Sequence, residues 1–155
     1  MDCFLELELK TEKVDAGGPV KKIGGIDTSK MMQCLTFNED VRLVYQQGAG
    51  TADSGAIYQP ISITKDVDKA SPLLAQGLCD QIDVKSGTFY FFEPGGDKKK
   101  YLCFKVMIER GKIASISRSM TKDAVMTETV TFVFGKITWK HEEGGTEHTD
   151  DFGEQ

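Results

Sequence analysis

Ala124-Val125-Met126-Thr127-Glu128-Thr129-Val130-Thr131-Phe132-Val133-Phe134-Gly135-Lys136-Ile137 reads with a period of two. Val125, Thr127, Thr129, Thr131 and Val133 fall on one face, and Met126, Val130, Phe132 and Phe134 on the other. Such alternation predicts a β-strand, here expected over residues 124–140. Gly135 is expected to be a bulge that bends the strand around a corner. An isolated sheet shows water one polar face. Here both faces carry apolar or small residues, as expected when a barrel packs against copies of itself.

The same period runs outward from this stretch. Phe4, Leu5, Leu7 and Leu9 alternate with Glu6, Glu8 and Lys10. Residues 88–93 and 101–109 flank Pro94-Gly95-Gly96-Asp97, which predicts a hairpin. Gly111-Lys112 is expected to turn the chain into a further strand over 113–117. Residues 31–37, 41–45 and 58–64 are shorter strand candidates. One helix interrupts them. Ser71 suits an N-cap and Pro72 the first helical position, where its missing N–H is no loss. Ala70, Leu74 and Leu78, with Leu73 and Gly77, form its apolar stripe. Gly77 predicts close packing against a neighbouring backbone. The expected fold is mainly β: a closed β-barrel or tight two-sheet sandwich with one α-helix.

The chain has 155 residues and a net charge of -5. Six of its acids, Glu142, Glu143, Glu147, Asp150, Asp151 and Glu154, follow His141. That leaves 19 basic against 18 acidic residues in 1–140, a nearly neutral body. Nucleic-acid binding needs a basic surface that displaces counterions from phosphate, so this class is not expected. The division expected is a β domain over 1–140 and an acidic, disordered tail over 141–155, which has lost its apolar residues except Phe152. The N-terminus lacks the basic and apolar regions of a secretory signal, and no run is long enough to span a membrane. Synthesis in the cytoplasm is expected, with any export by a route that reads no N-terminal signal.

There is no G-x-S-x-G elbow, H-E-x-x-H or Walker A sequence. His141 and His148 both sit at the tail, a poor place for a base. Asp66 and Asp68 lack the remaining ligands of a calcium loop and suit the start of the helix instead. Cys3, Cys34, Cys79 and Cys103 form no C-x-x-C pair and read as reduced structural thiols, Cys79 and Cys103 as small buried hydrophobes. No enzyme activity, metal or cofactor is expected. A small-ligand barrel lined by Phe89, Phe91 and Phe104 is the competing reading.

Two segments carry function. Residues 46–59 are polar and glycine-rich, too long for an idle loop in a compact domain. Gly48, Gly50, Thr51, Asp53 and Gly55 give reach, and Tyr58 is expected to anchor the return, so the loop is expected to cross onto a neighbouring subunit or ring. The second segment is Ile61-Ser62-Ile63-Thr64-Lys65-Asp66-Val67-Asp68-Lys69-Ala70-Ser71-Pro72-Leu73-Leu74. It resembles the hemolysin-coregulated protein (Hcp) family, in which a strand ends in a similar Thr-Lys-x-x-Asp-Lys-Ala-Ser-Pro run followed at once by the single helix. Residues 128–137 look like the family's long C-terminal strand, and the likeness runs from about Tyr58 to Trp139. Thr64, Lys65, Asp66, Asp68, Lys69, Ala70, Ser71 and Pro72 are the family signature. Residues 17–40 and the acidic tail depart from the family pattern. The resemblance implies a barrel related to phage tail-tube proteins. It also implies a homo-hexameric ring stacking into the inner tube of a bacterial type VI secretion apparatus. The partners implied are a sheath, a spike and secreted effectors carried in the lumen, with no membrane insertion.

Overall fold

The computed structural model describes residues 1–152 except 46, 49, 53, 54 and 98. In chain order its strands are Asp2–Leu9 (β1), Lys22–Ile23 (β2), Ile26–Asp27 (β3), Met32–Cys34 (β4), Thr36–Asn38 (β5), Val41–Arg42 (β6), Ile57–Tyr58 (β7) and Ile61–Asp66 (β8). After the helix Ser71–Cys79 (α1) come Asp83–Pro94 (β9), Lys100–Ser119 (β10), Thr127–Val133 (β11), Lys136–His141 (β12) and Thr146–Asp151 (β13). The fold is mainly β with one helix, as the alternation predicts.

The main sheet runs β4-β1-β9-β10-β11-β8-β5, with β12 on β10 and β13 on β12. Its ladder does not close into a barrel, so the two-sheet sandwich is the correct half of the expectation. The gap is spanned by the chain itself. β4 pairs with β1 and β5 pairs with β8, and only Leu35 separates them. The Leu35 N–H donates to the Thr64 carbonyl at 2.7 Å. One short segment thus changes partner strands at Leu35 and holds both ends of the path.

The twenty-residue β10 organises the rest. One edge pairs with β9. The other pairs with β12 over its first half and with β11 over its second. The strand expected over 124–140 is therefore two strands, interrupted at Phe134 and Gly135. Opposite this break lie Arg110, at φ 53°, and Gly111. The chain does not turn at Gly111-Lys112, contrary to expectation, but stays extended to Ser119. Glycine is required there because a Cβ would lie 2.2 Å from the Val133 carbonyl oxygen. We expect Gly111→Ala to lower the melting temperature by several degrees, since backbone must shift to admit the methyl. Thermal unfolding followed by circular dichroism checks this, and an unchanged midpoint would contradict it.

The main core lies between the sheets. Cys3, Leu5, Leu7 and Leu9 of β1 meet Ile61, Ile63, Phe89, Val106, Ile108, Val130 and Phe132 there. Ala70 and Leu74 of the helix complete it. Gly77 packs closely as expected, but against side chains: a Cβ would sit 3.2 Å from Ile113 Cδ1 and 3.5 Å from Leu9 Cδ1. Phe89 and Phe91 each meet Phe37 edge-on at 5.0 Å, and Phe91 lies 6.0 Å from Phe104. These rings fill the core against one another, which argues against the small-ligand reading. A second cluster, Phe4, Ile23, Met31 and Phe92, lies on the other face of β1 and β9. Residues 17–40 supply its cover through the β2–β3 hairpin. Part of the second apolar face is thus buried within the chain, not between copies.

Two further expectations are corrected. Cys79 is exposed, while Cys3, Cys34 and Cys103 are buried. The segment after His141 is not a disordered tail through its described length. β13 pairs in register with β12 from Lys136↔Asp151 to His141↔Thr146.

Candidate functional site

The signature run splits by strand parity. Ile61, Ile63 and Lys65 point into the core, and Ser62 and Thr64 lie half-buried on the outer face. Lys65 is therefore carried inside, where it is fully buried. Directly opposite it in the β8–β11 ladder stands Glu128, in phase with Val130 and Phe132 and also fully buried. Lys65 Nζ donates to Glu128 Oε1 at 2.7 Å and pairs with Asp68 Oδ1 at 3.0 Å. Ser71 Oγ donates to Glu128 Oε1 at 2.7 Å, and Arg118 Nε donates to Oε2 at 2.9 Å. Burial pushes the Glu128 carboxyl up. The hydrogen bonds from Lys65, Ser71 and Arg118 and the charge of Lys65 outweigh burial and hold it below its ordinary value.

The same network starts the helix. Asp68 Oδ1 accepts from the Ala70 N–H at 2.9 Å, and the Asp68 N–H donates to Ser71 Oγ at 3.0 Å. Ala70, not Ser71, is the N-cap residue, and no side chain caps it. Ser71 misses the capping role because its hydroxyl is engaged by Asp68 and Glu128. Thr64 faces outward, with Oγ1 3.4 Å from Thr129 Oγ1. Asp66, Lys69 and Pro72 are exposed, and Lys69 pairs with Asp15 at 3.4 Å. The signature's inward half is thus a structural joint between β8, β11 and α1. Glu128 and Arg118 complete it and were missed. The signal for Glu128 was present, since it interrupts the apolar face of its own strand.

A second candidate region is an arm over residues 41–58. Described residues at both ends of the expected loop are paired. β6 and β7 form their own two-stranded sheet, and Tyr45 bridges to Ala52. Gly48 and Gly50 take φ of 83° and 66°, which glycine alone adopts freely, with open space where a Cβ would be. Thr51 is exposed, and so is Gly55. Asp53 lies outside the described residues. Val41, Leu43, Val44, Tyr45 and Ile57 are exposed, with Tyr45 at 67%. The arm's root is firm. Tyr58 stacks on Phe152 at 4.4 Å and 2°, meets Phe134 at 5.8 Å, and gives its hydroxyl to Asp150. Burial, then Asp150, push that hydroxyl up to about 12. Tyr58, at the arm's return, packs on Phe152 and bonds Asp150 at the end of β13, a segment whose composition predicts disorder.

A third surface lies on the outer face of β5, β8, β11 and β10. Register brings Thr36 opposite Thr64, Thr64 opposite Thr129, and Thr129 opposite Ser117. Asn38, Ser62, Thr131 and Ser115 form the next row. Each row crosses four strands without a charge. At the far end of these strands Met120, Val125, Met126 and Val67 are exposed. Among the described residues, no His, Cys, Asp and Glu cluster suits a metal ion, and no helix is long and apolar enough to cross a membrane.

Comparisons with known proteins agree on one family. Residues 22–141 match the family described as "Type VI secretion system effector, Hcp". The "Major exported protein" of Pseudomonas aeruginosa is 30% identical over 125 residues, spanning 75% of this chain and 72% of that protein. A solved structure described as "Crystal structure of Hcp protein" superposes with a TM-score of 0.88 at 19% identity, covering 98% of this chain and 99% of its own. Hcp1 of E. coli EAEC 042, as a double mutant, gives 0.86 at 20% identity, over 98% and 99%. Hcp3 of Pseudomonas aeruginosa, described as a secreted protein, gives 0.78 at 22% identity, over 97% of each chain.

Proposed function

The chain belongs to the Hcp family of the type VI secretion system, and from that premise we propose that it is a non-catalytic subunit of the secretion tube. Six copies form a ring, rings stack into a tube within the sheath and beneath the spike, and the chain is itself exported. The single observation that supports assembly is the arm. A two-stranded projection that exposes Val41, Leu43, Val44, Tyr45 and Ile57 leaves apolar area in water with no benefit to its own chain. A neighbouring copy removes that cost. The second exposed apolar group, Met120, Val125, Met126 and Val67, is built from different residues. Two unlike surfaces make a head-to-tail contact, which closes into a ring when the rotation allows.

Export accords with the name of the Pseudomonas relative. The uncharged hydroxyl face of β5, β8, β11 and β10 is our choice for the lumen wall. A wall of Thr and Ser neither repels nor traps charged cargo, which suits carriage of varied effectors. Light scattering tests the assembly. We expect a mass near six chains at micromolar protein. Leu43→Glu with Tyr45→Glu is expected to leave the β circular dichroism spectrum intact and shift the mass toward one chain. A monomeric parent protein would overturn the ring, and a double variant that assembles like the parent would overturn the arm's role.

A further inference from the structure

We propose that Cys3 and Cys34 are a built-in disulfide site, open in reducing surroundings and closed by a low-molecular-weight disulfide in oxidising ones. Three observations carry it. Cys3 and Cys34 are register partners in the antiparallel β1–β4 ladder. Both side chains lie in the main core cluster, so both point to the same face. Directly opposed residues on one face have Cβ atoms about 4.5–5.5 Å apart, close to the spacing a disulfide needs. A small local adjustment therefore brings the two sulfurs into bonding distance.

The other cysteines do not compete. Cys103 lies on β10, two strands from β1 across β9, so its backbone is about 10 Å away. Its thiol points at the Phe91 carbonyl, 3.2 Å off. Cys79 lies on the helix and is exposed. The residues Cys3 and Cys34 are 8% and 7% exposed, and Cys3 is one residue from the start of β1. Fraying of that end admits a small reagent. The neighbouring Cys3 thiol, and then burial, hold the Cys34 thiol well above its ordinary value. Its thiolate is scarce near neutral pH, so closure is slow there and quickens as pH rises.

The chemistry balances without metal. One protein thiolate attacks glutathione disulfide, forms a mixed disulfide and releases one glutathione thiolate. The second protein thiolate displaces the other glutathione. The protein dithiol is oxidised by two electrons, glutathione disulfide is reduced to two thiols, and the two protons leave to solvent or to the released thiolates.

The position gives the bond a purpose. The sandwich path ends in two three-residue ladders, β1–β4 and β5–β8, with Leu35 between them. These are the shortest joints in the main sheet. A bond from Cys3 to Cys34 locks one of them and closes a loop of roughly thirty residues. The cytosol keeps thiols reduced, and the outside of a cell favours disulfides. The subunit is thus assembled with a yielding seam and stiffened after it leaves. The bond itself does not depend on the export reading, and only the compartment in which it forms does.

The test uses the purified full chain, native and with Cys79→Ser to prevent cross-linking between chains. Folded protein is incubated with glutathione disulfide, then unfolded and alkylated. We expect the Cys79→Ser chain to fall from three alkylated thiols to one, and peptide mapping of both chains to find Cys3 joined to Cys34. The melting temperature is expected to rise by roughly 5–10 °C, and reductant to reverse it. Cys34→Ala is expected to show no such rise on oxidation. Should that variant fail to fold, the peptide map of the native chain still decides. The proposal fails if the folded Cys79→Ser chain keeps three free thiols, if the bridge joins Cys103 instead, or if the Cys3–Cys34 link forms only in unfolded chain.

Discussion

Glu128→Gln is expected to lower stability by about 3–5 kcal/mol, or roughly 10 °C in melting temperature. The loss is large because of what remains. Lys65 is fully buried, and with Glu128 neutral its nearest charge is Asp68 at 3.0 Å, itself partly in water. An ammonium left inside with half its pairing costs far more than the pair was worth when intact. Ser71 and Arg118 lose their charged acceptor as well. The double variant Lys65→Met with Glu128→Leu separates this account from simple loss of contact, since removing both charges is expected to recover most of the loss. The acid limb gives a second readout. The Glu128 carboxyl is held below its unfolded value, ordinarily 4.5. Its contribution is therefore complete above about that pH and is lost as pH falls through the lower, folded value. Glu128→Gln is expected to flatten that acid dependence. Urea unfolding of the three proteins between pH 3 and 7 tests both points. A single variant within about 1 kcal/mol of the parent would refute the idea that this joint depends on its charge.

The period of two made the sheets legible because each strand of a sandwich writes its two faces into the chain. The same rule placed Lys65 and Glu128 on core faces, yet neither was read as buried. Composition treats Lys and Glu as surface residues, and only their meeting across β8 and β11 reverses that preference. Cys79 went the other way. Its neighbours Leu74 and Leu78 are apolar, but the helix buries only one side, and Cys79 lies off it. Ser71 looked like a cap because a local motif cannot reveal a hydroxyl already claimed by a glutamate 57 residues away. The arm's strands were partly legible as residues 41–45. Its second strand was masked by glycines whose role is to turn the hairpin. The join between the two ends of the sheet depends on the chain changing partner strands at Leu35, a tertiary event with no local signature.

Truncation after His141 is expected to lower the melting temperature by roughly 10 °C and to weaken assembly, although the segment removed is acidic and almost devoid of apolar residues. Composition argues that such a segment cannot repay its own ordering. β13 is ordered by what it joins. It covers the open edge of β12 along six register pairs, from Lys136 to His141. Thr138 and Thr149 share a hydroxyl contact at 2.9 Å, and His148 stacks on Trp139 at 6.0 Å and 10°. Arg110 pairs with Asp151. Its acidic, exposed residues keep the new sheet edge from pairing with other chains. Phe152 then seats on Tyr58 and Phe134. Burying part of one aromatic ring, stacking it, and bonding Tyr58 to Asp150 together account for about 4 kcal/mol. Each of these contacts ends at the root of the arm. The truncated chain is therefore expected to keep its main core but lose the fixed direction of residues 41–58. Phe152→Ala isolates this effect, with an expected cost of about 1–3 kcal/mol and the backbone ladder retained. Calorimetry and light scattering on both variants measure the two consequences separately. If the truncated chain melts within about 2 °C of the parent, β13 contributes no stability. If it melts early yet assembles fully, the arm does not need its root.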